Sequence, residues 1–333
     1  MQVLAFSRRI LFFLVAGILT LPGFLWADCA EGLSAVSRPG EILAAIETAK
    51  NGVETRAGKF ENFIIEYDPQ LDSIRYQLAA ARIPVGSQVI IAFHHGGGTT
   101  KSHSHAMMQP FHILTAKAAR KSDLMKFLVA LPSRLVIAGE AIDAPGHGLG
   151  PDPDRFPKLD DLVEWLATQI RELKKSGLPV IPLARSASTG YFLAVHQKYP
   201  GLLDGLILMS PVDPGVGMRV GVEALHQQEN DGRLVINKKG LDFVQRMYSQ
   251  MDWSNLKDQL KGLPVLVLIG GKDVETPKET QDLMRDLVEG SHPLSQFYFD
   301  PEAGHEVLSV IDKGIGLRSF TAVQNFIADV VKF

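Results

Sequence analysis

From Gln88 onward the chain carries a series of short, unbroken apolar runs, each ended by turn residues: "QVIIAFHHGGG", "RLVIAGEAIDAPGHG", "VIPLARS", "GLILMSP", "PVLVLIGGKD" and "QFYFDPEAGH". A strand with one wet face alternates apolar and polar residues. A continuous run implies burial on both faces, the condition of a parallel sheet covered by helices. The intervening segments read as those helices. In "KLDDLVEWLATQIRELKKSG", Leu159, Leu162, Val163, Leu166, Ile170 and Leu173 recur at three- and four-residue spacing; lysines fill the last turn and Gly177 follows. "SFTAVQNFIADVVKF" sets Val323, Phe326, Ile327, Val330 and Val331 on one face. Strand–helix alternation predicts an α/β, doubly wound fold. Two strands are expected ahead of it, in "FENFIIEYDP" and "DSIRYQLAAA", and a short helix over Glu41–Lys50.

One segment breaks the rhythm. Roughly fifty residues separate the strand ending near Ser210 from the one starting near Pro264, too many for a plain helical crossover. A small helical insertion, about 212–262, is expected over the carboxyl edge of the sheet, where ligands bind in such folds.

The first residues follow a different logic. "SRR" precedes an apolar run from Ile10 to Trp26, and small or polar residues come next. This is the layout of a secretory signal peptide over 1–27, with cleavage after Ala27 and export to the periplasm or medium. Uncleaved, the run would serve as an N-terminal membrane anchor. Cys29 is the only cysteine, so no intrachain disulfide and no cysteine zinc site can form. The exported chain, 28–333, must then hold together by its core. At 333 residues and 46% hydrophobic content it can build one. A net charge of −3 offers nothing to nucleic acid.

Four strand-end loops carry chemistry. "FHHGGGTT" follows a buried run, and consecutive glycines let backbone N–H groups approach a ligand as oxyanion donors. "ARSASTG" places two serines between an apolar strand and an amphipathic helix. A serine there attacks only if a nearby imidazole takes its proton and the flanks two residues away are small. Ala184 and Ser188 flank Ser186, while Ser186 and Gly190 flank Ser188, so spacing alone leaves both open. "IGGKDVETP" offers Asp273 just past a strand, and "DPEAGHEVL" offers His305 after the last one. The order Ser, Asp, His, each at a strand's carboxyl end, ties the three together.

Between Gln88 and Phe333 the sequence resembles the α/β-hydrolase superfamily. The motifs are His95-Gly96-Gly97, a D-x-x-G-H-G loop from Asp143 to Gly148, the serine turn, Gly270 to Asp273, and Gly304-His305. The resemblance implies the α/β-hydrolase fold, a mostly parallel central sheet flanked by helices with a small helical cap. It also selects a serine. In the family the helix after the nucleophile ends in a tyrosine- or histidine-proline pair about fourteen residues on, and Pro200 lies at that distance from Ser186. Ser186, Asp273 and His305 are then the catalytic residues, with Gly97, Gly98 and Ala187 supplying the oxyanion hole. Asp213 is a rival for the acid, since some members draw it from after the next strand. The elbow departs from Gly-x-Ser-x-Gly, and Pro182 sits inside the strand that leads to it, where a local bulge would accommodate it.

The expected activity is hydrolysis of carboxylic esters, on a small-molecule ester or short acyl substrate, with no cofactor and no metal. Action on short peptides as a serine peptidase or aminopeptidase comes second. A non-catalytic binding protein on the same fold is the alternative of another class. His94, His95, His103, His105 and His112 invite a metal reading, but Met107 and Met108 stand where an H-x-H-x-D-H motif needs its aspartate and histidine. "GVGMRVG" misplaces the last glycine of a dinucleotide fingerprint. Met218, Val220, Phe243, Met247 and Met251 are read as packing within the insertion.

Overall fold

The computed structural model describes residues 64–68, 70–71, 73–77, 86–99, 104–108, 137–308 and 315–332. The leader, Cys29 and the helix expected over Glu41–Lys50 lie outside them, as do His103 and His112. Eight strands form one sheet: β1 (Ile64–Asp68), β2 (Ser73–Gln77), β3 (Val89–His94), β4 (Ile137–Ile142), β5 (Val180–Arg185), β6 (Leu206–Met209), β7 (Val265–Gly270) and β8 (Gln296–Asp300). Their order is β1-β2-β4-β3-β5-β6-β7-β8, with β1 and β2 antiparallel and every pairing from β4 to β8 parallel.

Burial on both faces explains the unbroken runs. In β3, Ile90 and Ala92 join one apolar cluster while Val89, Ile91 and Phe93 join the other, all within 1% of complete burial. The first cluster packs under α1 (Leu159–Lys174) and α2 (Ala187–Lys198), and the second under α7 (Ile315–Lys332). Each large side chain buried this way contributes about 1.5–3 kcal/mol.

The insertion is helical: α3 (Val216–Asn230), α4 (Lys238–Tyr248) and the single turn α5 (Leu256–Gln259) lie between β6 and β7. α6 (Lys278–Val288) links β7 to β8. The insertion reaches the loop after β3 through a bridge between Thr99 and Ile236. It reaches the start of α2 through Tyr248, whose hydroxyl donates to the Ala187 carbonyl at 2.8 Å. Phe243 and Met247 are buried packing residues, as expected, and Met218 and Met251 pack against the same cluster, Met218 also lining a pocket. The first two glycines of "GVGMRVG" form the start of α3, where Asp213 caps the amides of Gly215 and Gly217.

Pro182 does not make a bulge. Its strand pairs with β3 in unbroken register from Val180 to Ala184, Pro182 opposite Ala92. On the other side, pairing with β6 begins only at Leu183 and Ile207. The missing N–H therefore falls one residue before that ladder starts, where no rung is lost. Among the described residues no helix is long and apolar enough to cross a membrane.

Candidate active site

Ser186 occupies the single residue between β5 and α2, with φ 52° and ψ −125°. A side chain rarely adopts positive φ, and such a residue costs about 1–3 kcal/mol unless its surroundings impose it. Here they do. The Ser186 N–H donates to the Met209 carbonyl at 2.9 Å, and Thr189 returns two bonds to the Ser186 carbonyl, from N at 3.0 Å and from Oγ1 at 2.6 Å. The turn is also crowded. A Cβ on Gly96 would stand 2.4 Å from Ser186 Cβ, so only glycine lets the loop after β3 pass this close.

Ser188, two residues on in the first turn of α2, is almost fully buried, its hydroxyl donating to the His95 carbonyl. The residue that replaces the second glycine of the familiar motif thus fastens the elbow to the glycine loop.

At the other end of the site, His305 Nδ1 stands 3.0 Å from both oxygens of Asp273. Asp273 is buried. Burial alone would raise its pKa, but the His305 charge and the hydrogen bonds from Thr276 and Glu275 bring it down to about 2. Asp213 faces elsewhere, its oxygens taken by the amides of Gly215 and Gly217 and the hydroxyl of Thr280. Burial pulls His305 toward its neutral form, yet the carboxylates of Asp273 and Glu275 outweigh it and its pKa is raised. Ser210, a second serine at positive φ (48°), holds the His305 carbonyl through its hydroxyl at 2.7 Å.

Ser186 and His305 open onto one cavity of about 420 Å³, walled also by Gly97, Arg185, Leu225, Gln228 and Glu275. Among the described residues no hydrogen bond joins the Ser186 hydroxyl to His305. Beside Ser186 and Ala187 lies a small apolar lobe of about 30 Å³, formed by Val212, Met218, Val222, Leu225, Leu241 and Val244.

The glycine loop supplies its amides unequally. Gly98 donates its N–H to His147 Nε2 at 2.8 Å, which engages it within the protein. His147 Nδ1 in turn donates to the Pro145 carbonyl, so the D-x-x-G-H-G loop braces the oxyanion loop from behind. The oxyanion role expected of Gly98 does not fit this geometry, and Gly97 and Ala187 are the remaining pair, both lining the apolar lobe beside Ser186.

Arg185 was not singled out by any motif. Its Nη1 lies 2.6 Å from His95 Nε2 and 2.9 Å from Glu306 Oε1. His95 Nδ1 donates to the Gly96 carbonyl, leaving Nε2 to accept from Arg185. Burial and the neighbouring guanidinium push the His95 pKa down to about 3, which fits that neutral form. One side chain thus links the elbow, the glycine loop and the histidine loop. His94 is buried against Phe192, with Nε2 2.8 Å from Gln169 Oε1, and burial lowers its pKa to about 4. Among the described residues no group of three or more His, Cys, Asp or Glu could hold a metal ion.

No protein-family model matches the sequence, and no curated protein does. Solved structures do match in fold. One is a serine hydrolase involved in carbazole degradation, at 16% identity and TM-score 0.50, covering 78% of this chain and 98% of that one. Another is E-2-(acetamidomethylene)succinate hydrolase, also at 16% identity and TM-score 0.50, covering 80% of this chain and 99% of that one. At this identity the likeness speaks for architecture alone, and that architecture is the α/β-hydrolase fold.

Proposed function

We propose that this protein is an exported serine hydrolase that cleaves carboxylic esters of short acyl groups. Ser186 attacks the carbonyl carbon. His305 takes the hydroxyl proton and returns it to the leaving alkoxide, and Asp273 orients and stabilises the imidazolium. The N–H groups of Gly97 and Ala187 receive the charge that develops on the carbonyl oxygen. Water then repeats the sequence on the acyl-enzyme, with His305 as its base, and releases the acid.

The observation that carries this reading is the strained serine, at φ 52°, opening onto the same cavity as an Asp-backed histidine. Strain of that kind is retained where a site uses it. Ser210 shares the positive φ, but its hydroxyl is spent on the His305 carbonyl, whereas Ser186 opens onto the cavity. The acyl preference follows from the lobe beside Ser186: about 30 Å³ holds little more than one small group. Esters rather than amides are favoured because an alkoxide leaving group asks least of the site. Export rests on the leader over 1–27.

A fluorophosphonate probe tests the reading directly. The folded protein should label, Ser186→Ala should not, and Ser188→Ala should still label. A wild-type protein that resists the probe, or labelling lost only in Ser188→Ala, overturns the assignment.

A further inference from the structure

His305 has two ring nitrogens, and a carboxylate faces each of them. Nδ1 has Asp273, and Nε2 stands 3.3 Å from Glu275 Oε2. The second contact falls on the nitrogen that must take the proton of Ser186. Glu275 is itself held in place. Its Oε1 accepts from Gln228 Nε2, on cap helix α3, at 3.0 Å, and its backbone N–H donates to Asp273 Oδ1 at 2.8 Å. One turn after β7 therefore presents both carboxylates to one imidazole, and the cap secures the outer one. The side chains of His305 and Glu275 are 11% and 16% exposed, so solvent screens the pair little.

Two facing carboxylates favour the imidazolium over the neutral ring, and imidazolium cannot accept a proton. Of the other charges near it, Arg185 opposes this state from the elbow, while Glu306 is paired with Arg185. We propose that Glu275 is a positioning residue that holds His305 by Nε2 in the unliganded protein, and that the cap sets this hold through Gln228. The inference rests on the assignment of Ser186 and His305 as nucleophile and base. Its consequence is a coupling: a ligand that shifts α3 also shifts Gln228, loosens Glu275 and frees Nε2 to turn toward Ser186.

The test is the pH dependence of kcat/KM on a p-nitrophenyl acetate substrate, and of fluorophosphonate labelling, for wild type, Glu275→Gln and Gln228→Ala. Glutamine keeps the shape of Glu275 and an oxygen for Gln228 but removes the charge. The acid limb of Glu275→Gln should move down by about one pH unit, so that one unit below the wild-type midpoint the rate rises roughly fivefold. Gln228→Ala should move it the same way by less. A merely structural role would lower the plateau and leave the midpoint in place. An unchanged midpoint in Glu275→Gln, in protein that still labels at Ser186, overturns the proposal. Failure of the wild type to label at any pH instead overturns the hydrolase assignment, and the proposal with it. A ¹⁵N titration of His305 in Ser186→Ala, with and without Glu275→Gln, reads the same shift without activity, and equal titrations would refute it.

Discussion

Gly270 and Gly304 both belong to the motif pairs that the sequence singles out, yet their surroundings predict opposite results for the same mutation. A Cβ on Gly270 would stand 2.3 Å from the Gly304 carbonyl oxygen and 2.4 Å from that of Ala303. Both are backbone atoms of the turn that carries His305, so neither can swing aside. Bringing the tighter contact to ordinary separation requires the two loops to part by roughly 1 Å. The bonds from Lys272 N to Ala303 O (2.8 Å) and from Gly271 N to Asp300 O (2.7 Å) cross the same seam and stretch with it. Gly270→Ala should therefore cost about 1–3 kcal/mol of stability, as overpacking of a close contact does. Because the seam sets Asp273 against His305, kcat/KM should fall about a hundredfold, the usual penalty for a misplacement of that size. A Cβ on Gly304 meets nothing within 4 Å, so Gly304→Ala should unfold in urea like the wild type. It should also keep its activity on acetyl esters within a few-fold. Urea unfolding curves and kcat/KM on both variants make the comparison. Full activity in Gly270→Ala, or equal damage from both, would refute the argument that backbone contact at this seam requires Gly270.

Two further outcomes follow from the site. Asp273→Asn should lower kcat by about 10⁴-fold, since the histidine loses the partner that fixes its tautomer, while Asp213→Ala should lower Tm through lost capping and spare kcat; steady-state kinetics and thermal melts separate the two. Val244→Ala enlarges the apolar lobe beside Ser186, and each methylene it admits should improve longer acyl esters about tenfold relative to acetate, measured across an acetyl-to-octanoyl series.

The apolar runs announced the sheet because a strand buried on both faces has no freedom to carry polar residues. Val89 to Phe93, Val180 to Ala184 and Val265 to Ile269 are all fully or almost fully buried and could be read as strands without any long-range information. The loops at their ends were legible for a related reason: Gly96 and Gly270 sit where backbones touch, and no other residue fits. Contacts that join loops distant in sequence left no such trace. Arg185, Ser210 and Glu275 act across gaps of 90, 95 and about 30 residues, and nothing periodic marks them. In the same way, Leu225 and Val244 cannot be told from Phe243 by pattern, because all three are apolar residues of amphipathic helices. Only the fold decides which face looks at the core and which at the pocket. The oxyanion role expected of Gly98 failed for a similar reason, since the partner that takes its N–H, His147, comes from another loop.

The elbow of this chain is built without its two customary glycines, on Ala184 and Ser188, and the second of these contributes a bond that glycine could not make. The recognisable object is consequently a conformation and not a string of letters. A scan for Gly-x-Ser-x-Gly passes over "ARSAS", whereas a scan of backbone angles for a non-glycine residue at positive φ that is the single residue between a parallel strand and a helix stops at Ser186 and passes over Ser210, whose helix starts six residues on. Among distant relatives whose letters have drifted beyond alignment, that torsional signature is the more durable address for a nucleophile.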